Sequence, residues 1–133
     1  MIVSAHVATG AAVGVLAGSR GLAVVAGLAL HGLEDRVPHE DIPSRRFEIW
    51  SGAALLAILA ARRGPLDPAV FGAVACAAPD LEHVLPLPKP GGRKLYPSHR
   101  VEGWHREGGL SAGVQLAAAA VIVALLVHRG REH

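Results

Sequence analysis

The chain is poor in aromatic residues, with two Trp, two Phe and one Tyr in 133 positions, and it holds a single cysteine. Cys76 alone excludes an intrachain disulfide, and within an apolar run it reads as a small buried residue. Strand signals are equally scarce. No run alternates polar and apolar residues with the Val, Ile, Thr and aromatic enrichment of a β-strand. The net charge is only +2, and no basic stripe is interleaved with aromatics, so nucleic acid is not an expected partner. No basic segment precedes the first apolar run and no cleavage site is evident, so the first helix is expected to be retained rather than removed as a signal peptide.

What is plentiful is Ala, Val, Leu and Gly, within a chain that is 51% apolar. Five apolar runs, at about 3–18, 21–33, 47–61, 68–78 and 110–127, predict an all-α, up-and-down bundle of about five helices in a single domain, 1–133. Gly10, Gly14 and Gly18 at four-residue spacing predict a close-packing face on the first helix. Asp67-Pro68 predicts a helix cap followed by Pro at the first helical position. The run at 110–127, strongly polar only at Ser111 and Gln115, would extend about 27 Å, close to a bilayer core of about 30 Å. The run at 21–33 would reach only about 20 Å. The small-residue profile suits helices packed in lipid. The expectation is an integral, multi-pass protein of the cell membrane with lipid as a partner, and a soluble bundle is the alternative. Arg62, Arg63, Arg129 and Arg131 then read as headgroup contacts.

The links between runs differ sharply in character. Those at 19–20 and 62–67, and the tail from 128, are short and arginine-rich, whereas 34–46 and 79–109 are long and carry His, Asp, Glu and Pro together. Short connections make neighbouring helices antiparallel, so both long links and the start of the first helix share one end. Six of the eight histidines, His6, His31, His39, His83, His99 and His105, should gather there, and His128 and His133 at the other end. Segments 34–46 and 79–109 are therefore expected to be metal-binding loops.

Spacing sharpens that expectation. His31 and Asp35 are four apart and share a helix face. Pro38 disfavours helix at Val37 and turns the chain, so His39 and Asp41 could fold back toward the pair. Pro79 suits the start of a new helical segment on which Asp80 and His83 face the same way. Carboxylates mixed with imidazoles suit zinc first, with manganese or iron as alternatives. His99, Arg100, Glu102, His105 and Glu107 add ligands, an anion clamp and proton carriers. Bland roles exist for each. His31 could be a hydrogen-bonded interface histidine, Asp80 and Glu82 could favour a helix start, and Tyr96 and Trp104 could sit at headgroup level. For one histidine the bland role prevails; for six beside acids, metal binding does.

These residues resemble the YdjM-like family of bacterial membrane-bound, metal-dependent hydrolases. Pro79-Asp80-Leu81-Glu82-His83 is similar to that family's Pro-Asp-x-Asp-His, with Glu82 in place of the second Asp. His99-Arg100 with His105 is similar to its His-Arg-Gly-x-Thr-His, with one extra intervening residue and with Val101 and Trp104 where the family has Gly and Thr. An early His6 and the His31/Asp35 pair complete the likeness, although that pair precedes the Pro-Asp element here. More distantly, the pattern is similar to the all-α zinc-dependent phospholipase C group. The resemblance implies metal ligation and a hydrolytic reaction class without a defined substrate.

The resulting expectation is a small helical membrane hydrolase. Zinc-like divalent ions would be held by His6, His31, Asp35, His39, Asp80, His83, His99 and His105. Glu82 would be the general base, with Glu102 or Glu107 as alternatives, and Arg100 would stabilise the anionic transition state. The substrate would be a phosphoester or lipid-like ester. A non-enzymatic metal-binding, structural or partner-docking membrane bundle is the second expectation.

Overall fold

The computed structural model describes residues 1–85 and 87–129, so Pro86, Arg131 and His133 lie outside the described residues. The chain forms α1 (Val3–Ala17), α2 (Arg20–Glu34), α3 (Arg45–Arg63), α4 (Pro68–Ala77), the single turn α5 (Leu81–Val84) and α6 (Ala112–Arg129). No named strand occurs among the described residues, so the architecture is all-α. The five long helices correspond to the five apolar runs.

Helix ends fall where local chemistry sets them. Asp67 Oδ1 accepts the Ala69 N–H at 2.8 Å, with Pro68 next in the first turn of α4. Gly18 closes α1 in the left-handed region, φ 68°, and meets nothing that a Cβ would touch. It is thus a helix cap and not part of the packing face expected of it.

α1 is the central helix and packs against α2, α3, α4 and α6. Its Val7, Ala8 and Ala11 join Leu59 of α3, Ala69, Val70 and Ala73 of α4, and Ala119 and Val123 of α6 in one core. Side chains this small let backbones approach closely. A Cβ on Gly10 would lie 2.5 Å from the Gly72 carbonyl oxygen, and one on Gly27 only 2.6 Å from the same atom. α1 and α2 therefore both close on α4 at Gly72. That approach carries the His6 and His31 rings, one from each helix, into a stack with centroids 4.2 Å apart.

The two long links are tied to each other and to the helices. Glu40 N–H donates to Leu110 O at 2.9 Å and Leu110 N–H to Pro38 O at 3.0 Å. Gly109 permits this approach, because it holds φ at 87° and any Cβ there would collide with Pro38. Gln115, the polar exception in the last apolar run, is buried at the junction. Its amide nitrogen donates to Glu40 O and Leu110 O, and its oxygen accepts the Ile2 N–H at 3.1 Å. Trp104 and Tyr96, for which headgroup level was the bland alternative, fasten the second link to α2. Trp104 Nε1 donates to Gly32 O at 2.8 Å and the Tyr96 hydroxyl donates to Leu28 O, because a half-buried indole or phenol seeks a polar partner.

Among the described residues one helix, α6, is long and apolar enough to cross a membrane, and α1 is apolar but shorter. One such helix is not the set of spans that a multi-pass placement requires. Arg63, expected at headgroups, works within the fold: it donates to Leu126 O at 2.9 Å and pairs with Asp67 at 3.2 Å.

Candidate metal centre

Four histidines at the polar end share one design. Each places Nδ1 against a protein acceptor, an arrangement that favours the proton there and leaves Nε2 as the ligating nitrogen; that of His39 also meets the Met1 ammonium at 2.5 Å. His6 Nδ1 meets Glu34 Oε2 at 2.7 Å, His31 Nδ1 meets the Cys76 carbonyl at 2.7 Å, His39 Nδ1 meets the Val37 carbonyl at 2.6 Å, and His99 Nδ1 meets Glu82. The first-turn His6, the last-turn His31 and the loop residue His99 then aim Nε2 at the same two carboxylates, Asp35 and Asp80.

The donor atoms fall into two adjoining sets. In the first, His31 Nε2 lies 3.2 Å from His99 Nε2 and 3.2 Å from Asp35 Oδ2. His99 Nε2 lies 3.4 Å from the same oxygen, and Asp80 Oδ1 stands 3.9 Å from both nitrogens. In the second, His6 Nε2 lies 3.7 Å from Asp35 Oδ1 and 3.7 Å from Asp80 Oδ2. His105 Nδ1 joins at 3.9 Å from Asp35 Oδ1. Asp35 and Asp80 each give one oxygen to each set. Donors about 2.0–2.1 Å from a tetrahedral ion stand roughly 3.4 Å apart, so both sets are dimensioned for a cation.

Burial makes the same point independently. His6 Nε2, Asp35 Oδ1 and Asp80 Oδ2 are buried without a hydrogen-bond partner among the described residues, and all three belong to the second set. An unsatisfied buried polar atom costs about 1–3 kcal/mol, and three facing one point suit a shared cation. In the first set, lone pairs of two imidazoles and a carboxylate converge, which only a proton or a metal ion between them stabilises. Burial lowers the His99 pKa, but Asp35 and Glu82 outweigh it and raise the net value. Burial likewise pushes the Asp35 carboxyl up, and His31, His99 and Ser98 together hold it well below the usual carboxylate range.

A third group lies further out. His39 Nε2 is 2.8 Å from His105 Nε2 and 3.3 Å from Asp41 Oδ1, with Asp41 Oδ2 3.8 Å from His105 Nε2. The His105 ring thus faces the inner sets with one nitrogen and the outer group with the other. His105 holds Asp41 below the usual carboxylate range, with help from His39.

Of the expected ligands, His6, His31, Asp35, Asp80 and His99 come together, and His39 and His105 form the outer group with Asp41. His83, exposed at the rim, joins Asp80 and His99 in a further set that could hold a metal ion; its ring lies 4.5 Å from that of His99 and its Nδ1 3.2 Å from Lys94 Nζ. The expected catalytic groups are placed differently. Glu82 is buried, with its two oxygens occupied by His99 Nδ1 and Leu95 N–H, so it orients a ligand instead of facing solvent as a base. Arg100 and Glu102 are exposed and line no part of the cavity beside the centre, and Arg100 Nε donates to Lys94 O.

That cavity, about 490 Å³, is lined by Asp41, Asp80, His99 and His105 together with Arg45, Glu48 and Lys94. Burial and the nearby Asp41 and Asp80 charges push the Glu48 carboxyl up. Glu34, Arg45 and Glu48 went unread in the sequence. Glu34 left one signal, an acid beside Asp35 at the end of an apolar helix; Arg45 and Glu48 left none, since the start of α3 looks like any capped helix. No family model, curated protein or solved structure matches this chain, so its likeness to a hydrolase family rests on the motifs alone.

Proposed function

We propose that the protein is a metal-dependent hydrolase whose inner centre holds zinc-like divalent ions on His6, His31, Asp35, Asp80 and His99. The observation that carries this reading is the convergence of bare imidazole nitrogens and paired carboxylate oxygens beside an open cavity. A storage or structural site would be closed, whereas a hydrolytic one needs an accessible face. A divalent ion bound there supplies a water acidified toward pKa ~7 and polarises an ester or phosphoester.

The chain's own residues do the rest. Glu34, Glu82 and the Cys76 carbonyl hold the His6, His99 and His31 rings in the ligating tautomer. Cys76 itself stays a thiol, since burial raises its pKa and its Sγ donates to Glu34 at 3.5 Å. Asp35 is fixed by Ser98 Oγ at 2.7 Å. His105, partly exposed between the two groups, is the placed candidate for moving a proton between centre and solvent. We place this chemistry at a membrane, with α6 as the anchor; its outward Val114, Val121 and Leu125 support that placement.

The test is elemental mass spectrometry on untagged protein beside His31→Ala/His99→Ala. Stoichiometric zinc or manganese that falls in the variant supports the centre, and an esterase and phosphoesterase screen follows. Parent protein that takes up no metal after reconstitution overturns the proposal. Alkaline carbonate extraction tests the anchor: release into the soluble fraction rejects it.

A further inference from the structure

The cavity beside the metal ligands is lined by two side-chain cations that no carboxylate among the described residues pairs with. Arg45, at the start of α3, has no hydrogen bond or ion pair among the described residues, and Lys94 Nζ meets only His83 Nδ1. A cation lining a cavity without a carboxylate partner keeps its charge and donors available to an incoming anion. Asp41 and Asp80 of the lining are committed to the histidine groups, which leaves Glu48 as the one other carboxyl lining the space. Val3, Ile42, Ile49 and Val101 add apolar surface to the lining.

Resting on the hydrolase reading above, we infer that Arg45 and Lys94 form an anion clamp that selects a phosphomonoester bearing an apolar substituent. The phosphoryl group would lie between the clamp and the His99/Asp80 face, with its substituent against Val3, Ile42, Ile49 and Val101. A dianionic head answers two cations, and a substituent carrying its own positive charge is disfavoured beside them. A cavity of about 490 Å³ admits a headgroup and a short chain.

Non-hydrolysable probes test this without relying on turnover. Isothermal titration of zinc-loaded protein should show hexylphosphonate binding at least about tenfold tighter than either methylphosphonate or 2-(trimethylammonio)ethylphosphonate. Arg45→Gln and Lys94→Gln should each weaken hexylphosphonate about tenfold, and the pair more, with zinc content unchanged. Unchanged zinc content also shows that the variants are folded. Parent-like affinity in the double variant, or equal affinity for the trimethylammonio probe, overturns the clamp. Failure of the hydrolase reading looks different, because the parent then takes up no metal. Hexylphosphonate binding that still depends on Arg45 and Lys94 would sustain the clamp even so, and its loss would reject it. Co-sedimentation with phosphatidylcholine vesicles containing phosphatidate, competed by hexylphosphonate, assigns a lipid source of the headgroup. Binding of the soluble probe alone assigns a free phosphomonoester, and either source supports the clamp.

Discussion

The inner sets and the outer group use the same donors, imidazole and aspartate, in opposite surroundings. Asp35 has 2% of its side chain exposed, His6 and His31 none, and each histidine nitrogen turned away from the centre is bound to a protein acceptor. In the outer group Asp41 is 62% and His105 44% exposed, and only His39 has its ring fixed by a backbone carbonyl. Preorganised, water-excluded donors hold a cation more tightly than donors that must be ordered on binding. The inner sets should therefore bind first and release last, with the outer group as a weaker, exchangeable position.

The largest break of that contrast is Asp35→Asn, since Asp35 gives an oxygen to both inner sets. Metal affinity should fall by more than about a hundredfold, and elemental analysis should find the inner metal gone; retention of it would show that Asp35 is no ligand. Acidification comes next. Ligation needs neutral imidazole, so binding weakens as pH falls, and because Asp35 and Glu82 raise the His99 pKa its proton competition begins above the ordinary histidine value of about 6.5. Competition with a colorimetric chelator from pH 8 to pH 5 should show the outer position emptying before the inner ones, and simultaneous loss would erase the distinction. Glu34→Gln and Glu82→Gln should each cost roughly 10–100-fold in inner affinity through loss of ring orientation. If Glu82 were the base instead, the variant would keep its metal affinity and lose turnover alone. Asp41→Asn should have the smallest effect, about tenfold or less, confined to the outer position, as a two-site competition titration can resolve.

The helices were readable because apolar runs of 11 to 18 residues bounded by Asp67-Pro68, Ser19 and Gly18 leave few alternatives. The gathering of His6, His31, His39, His99 and His105 was readable from antiparallel connectivity. Roles within the site were not. Glu82 looked like a free base because nothing in its local sequence foretells His99 Nδ1 and Leu95 N–H reaching it across the second link. Gln115 looked like a polar blemish in an apolar helix, although it pins both links and the start of α1. Arg100 and Glu102 were singled out for standing beside His99, yet the turn that directs His99 inward leaves them exposed.

By itself, then, the sequence determined the number of long helices, the small-residue face at Gly10 and Gly14, and the polarity of one end, because these follow from local periodicity and chain connectivity. The tertiary structure alone decided which nitrogen of each histidine is free, that Asp35 and Asp80 serve two sets at once, and that Arg45 and Lys94 face the cavity. Those are distances of a few ångströms between residues tens of positions apart, fixed by how closely α1 and α2 approach α4 and by how the two long links fold over them.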